Sequence, residues 1–88
     1  MAQNSPDRTK RIDSMKNKFR RLGGLDLLRE CVRYERAQDG TLEHHLPPEF
    51  VEDSHLALRQ LLDEKYGSGK FERLLAIVRK QPSKPFVV

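Results

Sequence analysis

The sequence predicts an all-α fold, a small single domain of three or four short helices with an extended C-terminal tail. Apolar residues recur every three or four positions in four separate segments, and this spacing is typical of amphipathic helices. Glycine and proline clusters separate the segments, and no stretch of five or more residues alternates apolar with polar side chains, so we expect no sheet. A chain of 88 residues has room for one domain. We divide it into a flexible N-terminus at 1–5, a helical domain at 6–81 and a tail at 82–88.

The first helix is predicted at residues 6–22. Ser5 is a favourable N-cap, Pro6 suits the first helical position, and Asp7 places a negative charge near the positive end of the helix dipole. The apolar residues of this helix form one narrow stripe: Ile12, Met15, Phe19 and Leu22. The glycine pair at 23–24 ends the helix, because glycine tolerates the backbone conformations that terminate helices.

The second helix is predicted at residues 25–38. Its apolar residues form two neighbouring ridges: Leu25, Leu28 and Val32, with Leu27, Cys31 and Tyr34 beside them. Such a broad apolar face is expected for a helix that packs against two others. The turn-forming pair Asp39-Gly40 ends this helix.

The segment 41–49 is predicted to be a loop, because Pro47-Pro48 cannot continue a regular helix and biases Leu46 toward an extended conformation. A third helix is expected to begin between Pro48 and Ser54 and to continue to Tyr66. Its apolar positions include Val51, Leu58, Leu61 and Leu62.

A fourth helix is predicted to begin at Ser68 or Lys70 and to end at Lys80. Its apolar stripe comprises Phe71, Leu74, Leu75 and Val78. Pro82 and Pro85 end the regular structure. The segment 67–70, with sequence GSGK, contains part of a phosphate-binding loop motif but lacks its full glycine spacing and a preceding strand. We interpret it as the end of one helix followed by the start of the next.

Charge is unevenly distributed along the chain, whose formal net charge is +4. Residues 1–24 carry seven basic and two acidic side chains, a net charge of +5. Residues 25–66 carry five basic and ten acidic side chains, a net charge of −5. Residues 67–88 carry five basic side chains and one acidic side chain, a net charge of +4. The chain is therefore basic, then acidic, then basic.

The first functional hypothesis is a small accessory or regulatory protein that binds DNA or RNA. Lysine and arginine contacts to phosphates supply most non-specific affinity for nucleic acids, and the basic first helix is dense in both. The residues predicted to contact nucleic acid are Arg8, Lys10, Arg11, Lys16, Lys18, Arg20, Arg21, Lys70, Arg73, Arg79 and Lys80. No residue is predicted to read base identity.

Two alternatives remain open. In the first alternative, the protein is an adaptor or inhibitor that binds a larger protein through the apolar stripe of the first helix or through the tail. The contact residues would be Ile12, Met15, Phe19, Leu22 and Phe86. Alternatively, the basic helix packs against the acidic middle of the chain, either within one molecule or across a homodimer. A homodimer is plausible in either case, because a small domain gains buried apolar area by dimerisation.

Several other classes of function are not expected. Cys31 is interpreted as a buried and inert thiol, and His44, His45 and His55 lack the spacing of zinc ligands. We therefore expect no catalytic residue, no metal and no cofactor, and we predict that the protein is not an enzyme. No apolar run approaches the roughly 20 residues of a membrane span, and no signal peptide is evident, so a cytoplasmic location without membrane contact is expected.

Overall fold

The computed structural model describes residues 6–82, which form four α-helices and no strand. The helices are α1 (Pro6–Phe19), α2 (Gly24–Gln38), α3 (Pro48–Tyr66) and α4 (Glu72–Arg79). The predicted all-α fold of a small single domain is confirmed. The predictions about residues 1–5, including the Ser5 cap, and about residues 83–88, including Phe86, lie outside the described part of the chain.

Helix α1 ends at Phe19, three residues before the predicted end. The amide of Arg20 still donates to the carbonyl of Lys16 at 2.9 Å, but the amide of Leu22 donates to the carbonyl of Phe19 at 3.0 Å. This tighter bond closes the last turn and directs the half-buried Leu22 toward the core. The early end therefore places the last member of the apolar stripe against the rest of the molecule.

Helix α4 begins at Glu72, later than the predicted start at Ser68 or Lys70. Gly67 and Gly69 have φ values of 97° and 76°, which no right-handed helix accommodates. Two successive tight turns instead lead into α4, with the amide of Lys70 bonded to the carbonyl of Gly67 and the amide of Glu72 to that of Gly69. The glycines that the sequence suggested as a helix stop thus also delay the next helix.

The core lies mainly between α2 and α3, which share the most extensive helix contact. Helix α1 packs on α3, and α4 packs on α2. The buried side chains of the core cluster come from α2, α3 and the α4 region: Leu27, Leu28, Cys31, Val32, Tyr34, Ala37, Val51, Leu58, Leu61, Leu62, Phe71, Leu75 and Val78. Most of the apolar positions predicted from helical spacing face this core, but Leu25 is exposed.

Two local features fix the ends of the helices. Gly24 lies so close to the end of α3 that an added Cβ would collide with the Tyr66 hydroxyl. At the other side of the molecule, the guanidinium of Arg36 donates hydrogen bonds to the carbonyls of Arg79 and Gln81. These carbonyls belong to the last residue of α4 and to the second residue after it, so a cation there also complements the negative end of the helix dipole. Within residues 6–82, no helix has both the length and the apolarity that crossing a membrane requires.

Candidate interaction surfaces

The cations of α1 that flank its apolar stripe form ion pairs with acidic residues of α3. Arg8 Nε lies 3.0 Å from Oδ1 of Asp53, and Arg11 lies 3.5 Å from the other oxygen of the same carboxylate. The side chain of Asp53 is only 5% exposed. A buried carboxylate requires charged or hydrogen-bonding partners, so this pair of arginines is a structural part of the α1–α3 contact.

A second set of ion pairs joins the other end of α1 to α3. Lys16 Nζ lies 2.7 Å from Glu64, and Arg20 lies 3.4 Å from the same carboxylate. The hydrogen bond from Lys16, with the charges of both cations, lowers the pKa of Glu64. Four of the seven α1-region cations predicted to contact nucleic acid are therefore paired within the molecule. This arrangement matches the alternative in which the basic helix packs against the acidic middle of its own chain.

The apolar stripe of α1 faces the interior. Ile12 is buried, and Met15 Sδ accepts a contact of 3.6 Å from the hydroxyl of the buried Ser54. The Phe19 ring meets the Tyr34 ring edge-on, with centroids 6.1 Å apart. Together with Leu22, these residues join α1 to α2 and α3. The stripe is available to a partner protein only if α1 separates from the rest of the fold.

Three cations of the α1 region remain exposed without an acidic partner among the described residues: Lys10, Lys18 and Arg21. Asp7 and Asp13 are also exposed on this helix. The outward surface of α1 therefore carries three cations and two carboxylates, which nearly cancel. Its positive charge is much smaller than the sequence composition of the segment indicates.

The basic residues in and around α4 also include one that is paired within the molecule and others that are exposed without an acidic partner in residues 6–82. Arg79 is turned toward α2, where it forms two hydrogen bonds of 2.7 and 2.9 Å with the carboxylate of Glu35. These bonds raise the pKa of Arg79 and lower that of Glu35. The second acidic residue nearby, Glu72, pairs with Arg59 and lies 3.9 Å from Arg79. Arg79 thus joins α4 to α2. The other cations of this region predicted to bind nucleic acid, Lys70, Arg73 and Lys80, form no ion pair within residues 6–82.

One exposed surface, which we call the α4 face, combines the remaining cations with an exposed aliphatic side chain. Residues at 73, 76, 77 and 80 lie on one side of α4 because they are spaced by three or four positions, and Lys70 is exposed in the turn ahead of the helix. Ile77 is 57% exposed. The α4 face comprises Lys70, Arg73, Ala76, Ile77 and Lys80. It contains no acidic residue, and its three cations have no ion-pair partner within 6–82.

A second exposed surface, which we call the α3 face, has the opposite charge. Its residues recur at helical spacing along the outer side of α3: Glu49, Glu52, Leu56, Gln60 and Asp63. Leu56, at the centre of the α3 face, is 37% exposed. Glu52 accepts a hydrogen bond of 3.2 Å from Arg8, while Glu49 and Asp63 have no ion-pair partner among the described residues.

Neither Ile77 nor Leu56 was predicted from the sequence as an interaction residue. Both lie outside the apolar stripes that identified their helices, and such an off-stripe aliphatic residue among charged ones is the signal available in the sequence. It is weak, because single exposed aliphatic residues are common on protein surfaces. Their exposure became evident only once the packing of α3 and α4 was known.

Two reactive side chains, Cys31 and His55, lie in the interior of the described domain. Cys31 is fully buried, and this burial raises the pKa of its thiol to about 12. His55 Nε2 is enclosed without a hydrogen-bond partner, 3.9 Å from a carboxylate oxygen of Glu35, and burial lowers the pKa of the imidazole. No group of three or more potential metal ligands is present in residues 6–82.

A groove of about 640 Å³ lies between α2 and the end of α4. Its lining residues are Leu22, Asp26, Arg29, Glu30, Arg33, Val78, Gln81 and Pro82. Two basic and two acidic side chains line it, and Arg33 bonds to Glu30 at 2.7 Å. The groove therefore presents no net charge that would select a ligand.

The chain matches no protein-family model, no curated protein and no solved structure.

Proposed function

We propose that the protein is a non-enzymatic binding module whose α4 face binds an acidic surface of a partner protein. The observation that carries this proposal is the position of Ile77. This aliphatic side chain is 57% exposed and has Arg73 on one side and Lys80 on the other. An apolar centre with a charged rim is the usual anatomy of a protein–protein contact. The rim is entirely basic, which favours a partner with acidic side chains.

The pairing of the α1 cations favours a protein partner over a nucleic acid. A polyanion that used Arg8, Arg11, Lys16 or Arg20 in full would have to compete with Asp53 and Glu64. The buried carboxylate of Asp53 would then lose its partners. Breaking a buried ion pair in this way typically lowers the free energy of unfolding by about 3–5 kcal/mol. The first hypothesis, in which the whole basic helix contacts phosphates, thus carries a cost that the α4 face does not.

The chemistry of the interior supports a binding function rather than catalysis. The single thiol is fully buried and has a pKa of about 12, so it does not supply a thiolate nucleophile at neutral pH. Burial lowers the pKa of the His55 imidazole, which lies 3.9 Å from a carboxylate oxygen of Glu35. Neither residue lines the groove between α2 and the end of α4.

The proposal is tested by titrating the ¹⁵N-labelled protein with two synthetic helical peptides. One peptide places leucines at helical spacing within a glutamate rim, and the matched control replaces each glutamate with lysine. We expect the acidic peptide to shift the amide resonances of residues 70–80 and the basic peptide to leave them in place. Ile77→Ser should weaken binding of the acidic peptide about tenfold or more, as truncation of a central apolar contact does.

An acidic peptide that shifts no resonance of the α4 face, even at millimolar concentration, would contradict the proposal. The same conclusion would follow if Ile77→Ser bound the peptide as tightly as the wild type. Because Ile77 is exposed, this variant is expected to fold normally, and a circular dichroism melt checks that it does.

Binding to DNA or RNA remains the second candidate, supported by the exposed cations Lys10, Lys18 and Arg21. These side chains have no acidic partner within residues 6–82, and none contributes to the α1–α3 contact. Such a surface would bind phosphates without sequence preference, and the affinity would depend strongly on salt.

This candidate is tested by fluorescence anisotropy with labelled duplex DNA, single-stranded DNA and RNA at about 50 and about 200 mM salt. Reversing the three exposed cations together to glutamate should abolish binding without unfolding the protein. The matched control, Asp7→Lys/Asp13→Lys, adds positive charge to the same outward surface and should strengthen binding. If the wild type does not bind at the lower salt, this candidate is wrong.

A further inference from the structure

The α3 face and the α4 face of this protein are complementary to each other in charge. The α3 face carries Glu49, Glu52 and Asp63, and the α4 face carries Lys70, Arg73 and Lys80. Each face has one large exposed aliphatic side chain between its charges, Leu56 in α3 and Ile77 in α4. These two residues are also two of the three large apolar side chains that the described chain exposes.

An antiparallel alignment of the two helices brings opposite charges of the two faces near each other. On α3, acidic residues lie four positions before Leu56 and seven positions after it. Around α4, Arg73 lies four positions before Ile77 within the helix, Lys80 lies three positions after it at the C-cap, and Lys70 lies in the turns ahead of the helix. With the two aliphatic residues opposite each other, Lys80 lies near Glu52, which Arg8 also contacts, and Arg73 lies near Gln60, one helical turn from Asp63.

The two faces lie on different helices that pack around one core, so the two faces do not meet within one molecule. Helix α4 is held against α2 by the Arg79–Glu35 bonds and by the buried Leu75 and Val78. The outer surfaces of α3 and α4 therefore remain available to other molecules. A second copy of this chain supplies both the acidic rim and the apolar centre that the α4 face requires.

We infer that the protein associates with itself head to tail, the α4 face of one copy binding the α3 face of the next. This inference rests on the proposed function and names the partner of that same surface. A symmetric contact between two α4 faces is disfavoured, because it would bring like charges together. In the head-to-tail contact each copy keeps one unused face, so association continues beyond the dimer into rings or open chains.

The contact is small and depends on charge. Helix α4 has 8 residues, which is a length of about 12 Å at the usual helical rise, so the buried area falls in the small class of interfaces. Self-association should therefore be weak, rise with protein concentration and decrease as salt screens the charges.

Sedimentation velocity tests the inference on the full chain. The wild type is measured from about 10 μM to about 1 mM, a range suited to weak contacts, at about 50 and about 500 mM salt. We expect the weight-average sedimentation coefficient to rise with concentration at the lower salt and to remain at the monomer value at the higher salt. A wild type that is monomeric throughout this range at the lower salt would overturn the inference.

Two charge reversals make the test specific. Glu49→Lys/Asp63→Lys makes the α3 face basic, and Arg73→Glu/Lys80→Glu makes the α4 face acidic. Each variant alone should associate at least about tenfold more weakly than the wild type, because like charges then oppose each other across the contact. An equimolar mixture of the two should associate again, since each variant supplies a face complementary to one on the other.

Lys10→Glu/Lys18→Glu is the matched control for the α4 reversal, because it makes the same charge change on α1 and should leave association unchanged. Circular dichroism confirms that all variants are folded. A mixture that remains monomeric, or an α4 reversal that associates like the wild type, would overturn the inference.

The peptide titration separates this inference from the proposed function. If the acidic peptide binds the α4 face while the wild type stays monomeric, the self-association is wrong and the proposed function stands. If neither is observed, the α4 face is not an interaction surface at all.

Discussion

The guanidinium of Arg8 donates a hydrogen bond of 3.0 Å to the carboxylate of Asp53, although the two residues are 45 positions apart in the chain. Asp53 lies on α3 with its side chain 5% exposed, and Arg8 lies on the first turns of α1 with its side chain 28% exposed. This pair joins the basic beginning of the chain to its acidic middle. Its energetic role can be tested directly.

Replacing Arg8 with methionine should lower the free energy of unfolding by about 1–3 kcal/mol, because the buried carboxylate loses one of its charged partners. Arg11 continues to contact Asp53 and limits the loss. Urea denaturation measures the change. Lys10→Met is the matched control, since Lys10 is exposed and unpaired within the described residues, and it should change stability by less than about 0.5 kcal/mol. Equal effects of the two substitutions would contradict a structural role for the Arg8–Asp53 pair.

The glycine pair between α1 and α2 should respond asymmetrically to substitution. A Cβ at Gly24 would collide with the Tyr66 hydroxyl, whereas a Cβ at Gly23 meets no atom within 4 Å. We expect Gly24→Ala to destabilise the protein by about 1–3 kcal/mol, the usual cost of overpacking. Gly23→Ala should be tolerated, with a loss of about 1 kcal/mol or less because glycine is the better N-cap. Thermal melts of the two variants make the comparison, and a Gly24→Ala protein as stable as Gly23→Ala would show that Tyr66 moves aside freely.

His55 should make the stability depend on pH below neutrality. Burial lowers the pKa of its imidazole from the ordinary value of 6.5, so the unfolded chain binds the proton at a higher pH than the folded protein does. The neutral His55 therefore contributes its full share to the free energy of unfolding above pH 6.5. This share is lost as the pH falls from 6.5 through the lower pKa of the folded protein.

Urea midpoints measured from pH 7.5 down to pH 5 should fall with pH in the wild type. This decrease should be reduced in His55→Gln, which removes the titrating group. His45→Gln, which replaces an exposed histidine of the loop, is the matched control for the substitution itself. A pH profile of His55→Gln identical to that of the wild type would rule out this role for His55.

Cys31 should resist modification in the folded protein. Its thiol is fully buried, and burial raises its pKa to about 12, so both access and thiolate formation are suppressed. We expect Ellman's reagent at pH 8 to react with Cys31 no faster than the protein unfolds. Rapid and complete reaction in about 6 M guanidinium chloride serves as the positive control, since denaturant at that strength exposes the chain. Fast reaction under native conditions would mean that α2 opens locally around Cys31.

The sequence predicted the four helices well because their signals are local. The three- and four-residue spacing of Leu75 and Val78 identifies the buried side of α4 without knowledge of what covers it. The ends of helices were predicted less well. Gly67 and Gly69 were recognised as breaking residues, but their positive φ values and the two turns that delay α4 depend on how the chain returns to α2.

The candidate surfaces could be predicted only in part. The count of charges in α1 is a property of the sequence, but their partners are not. The α1 cations nearest the apolar stripe meet α3, so Lys16 is paired with Glu64 while Lys18 remains exposed. A substitution set chosen from the sequence that includes Lys16 and Arg20 would disturb the α1–α3 contact as well as any ligand.

The sequence by itself therefore determined the all-α fold, the apolar stripes and the alternation of basic, acidic and basic segments, because periodicity and composition act over a few neighbouring residues. The tertiary structure alone decided which charges are neutralised and which are exposed. The Arg8–Asp53 and Arg79–Glu35 pairs each join residues more than 40 positions apart. Such pairing depends on which helix surfaces face each other, and burial of the apolar stripes fixes that arrangement for the whole molecule at once.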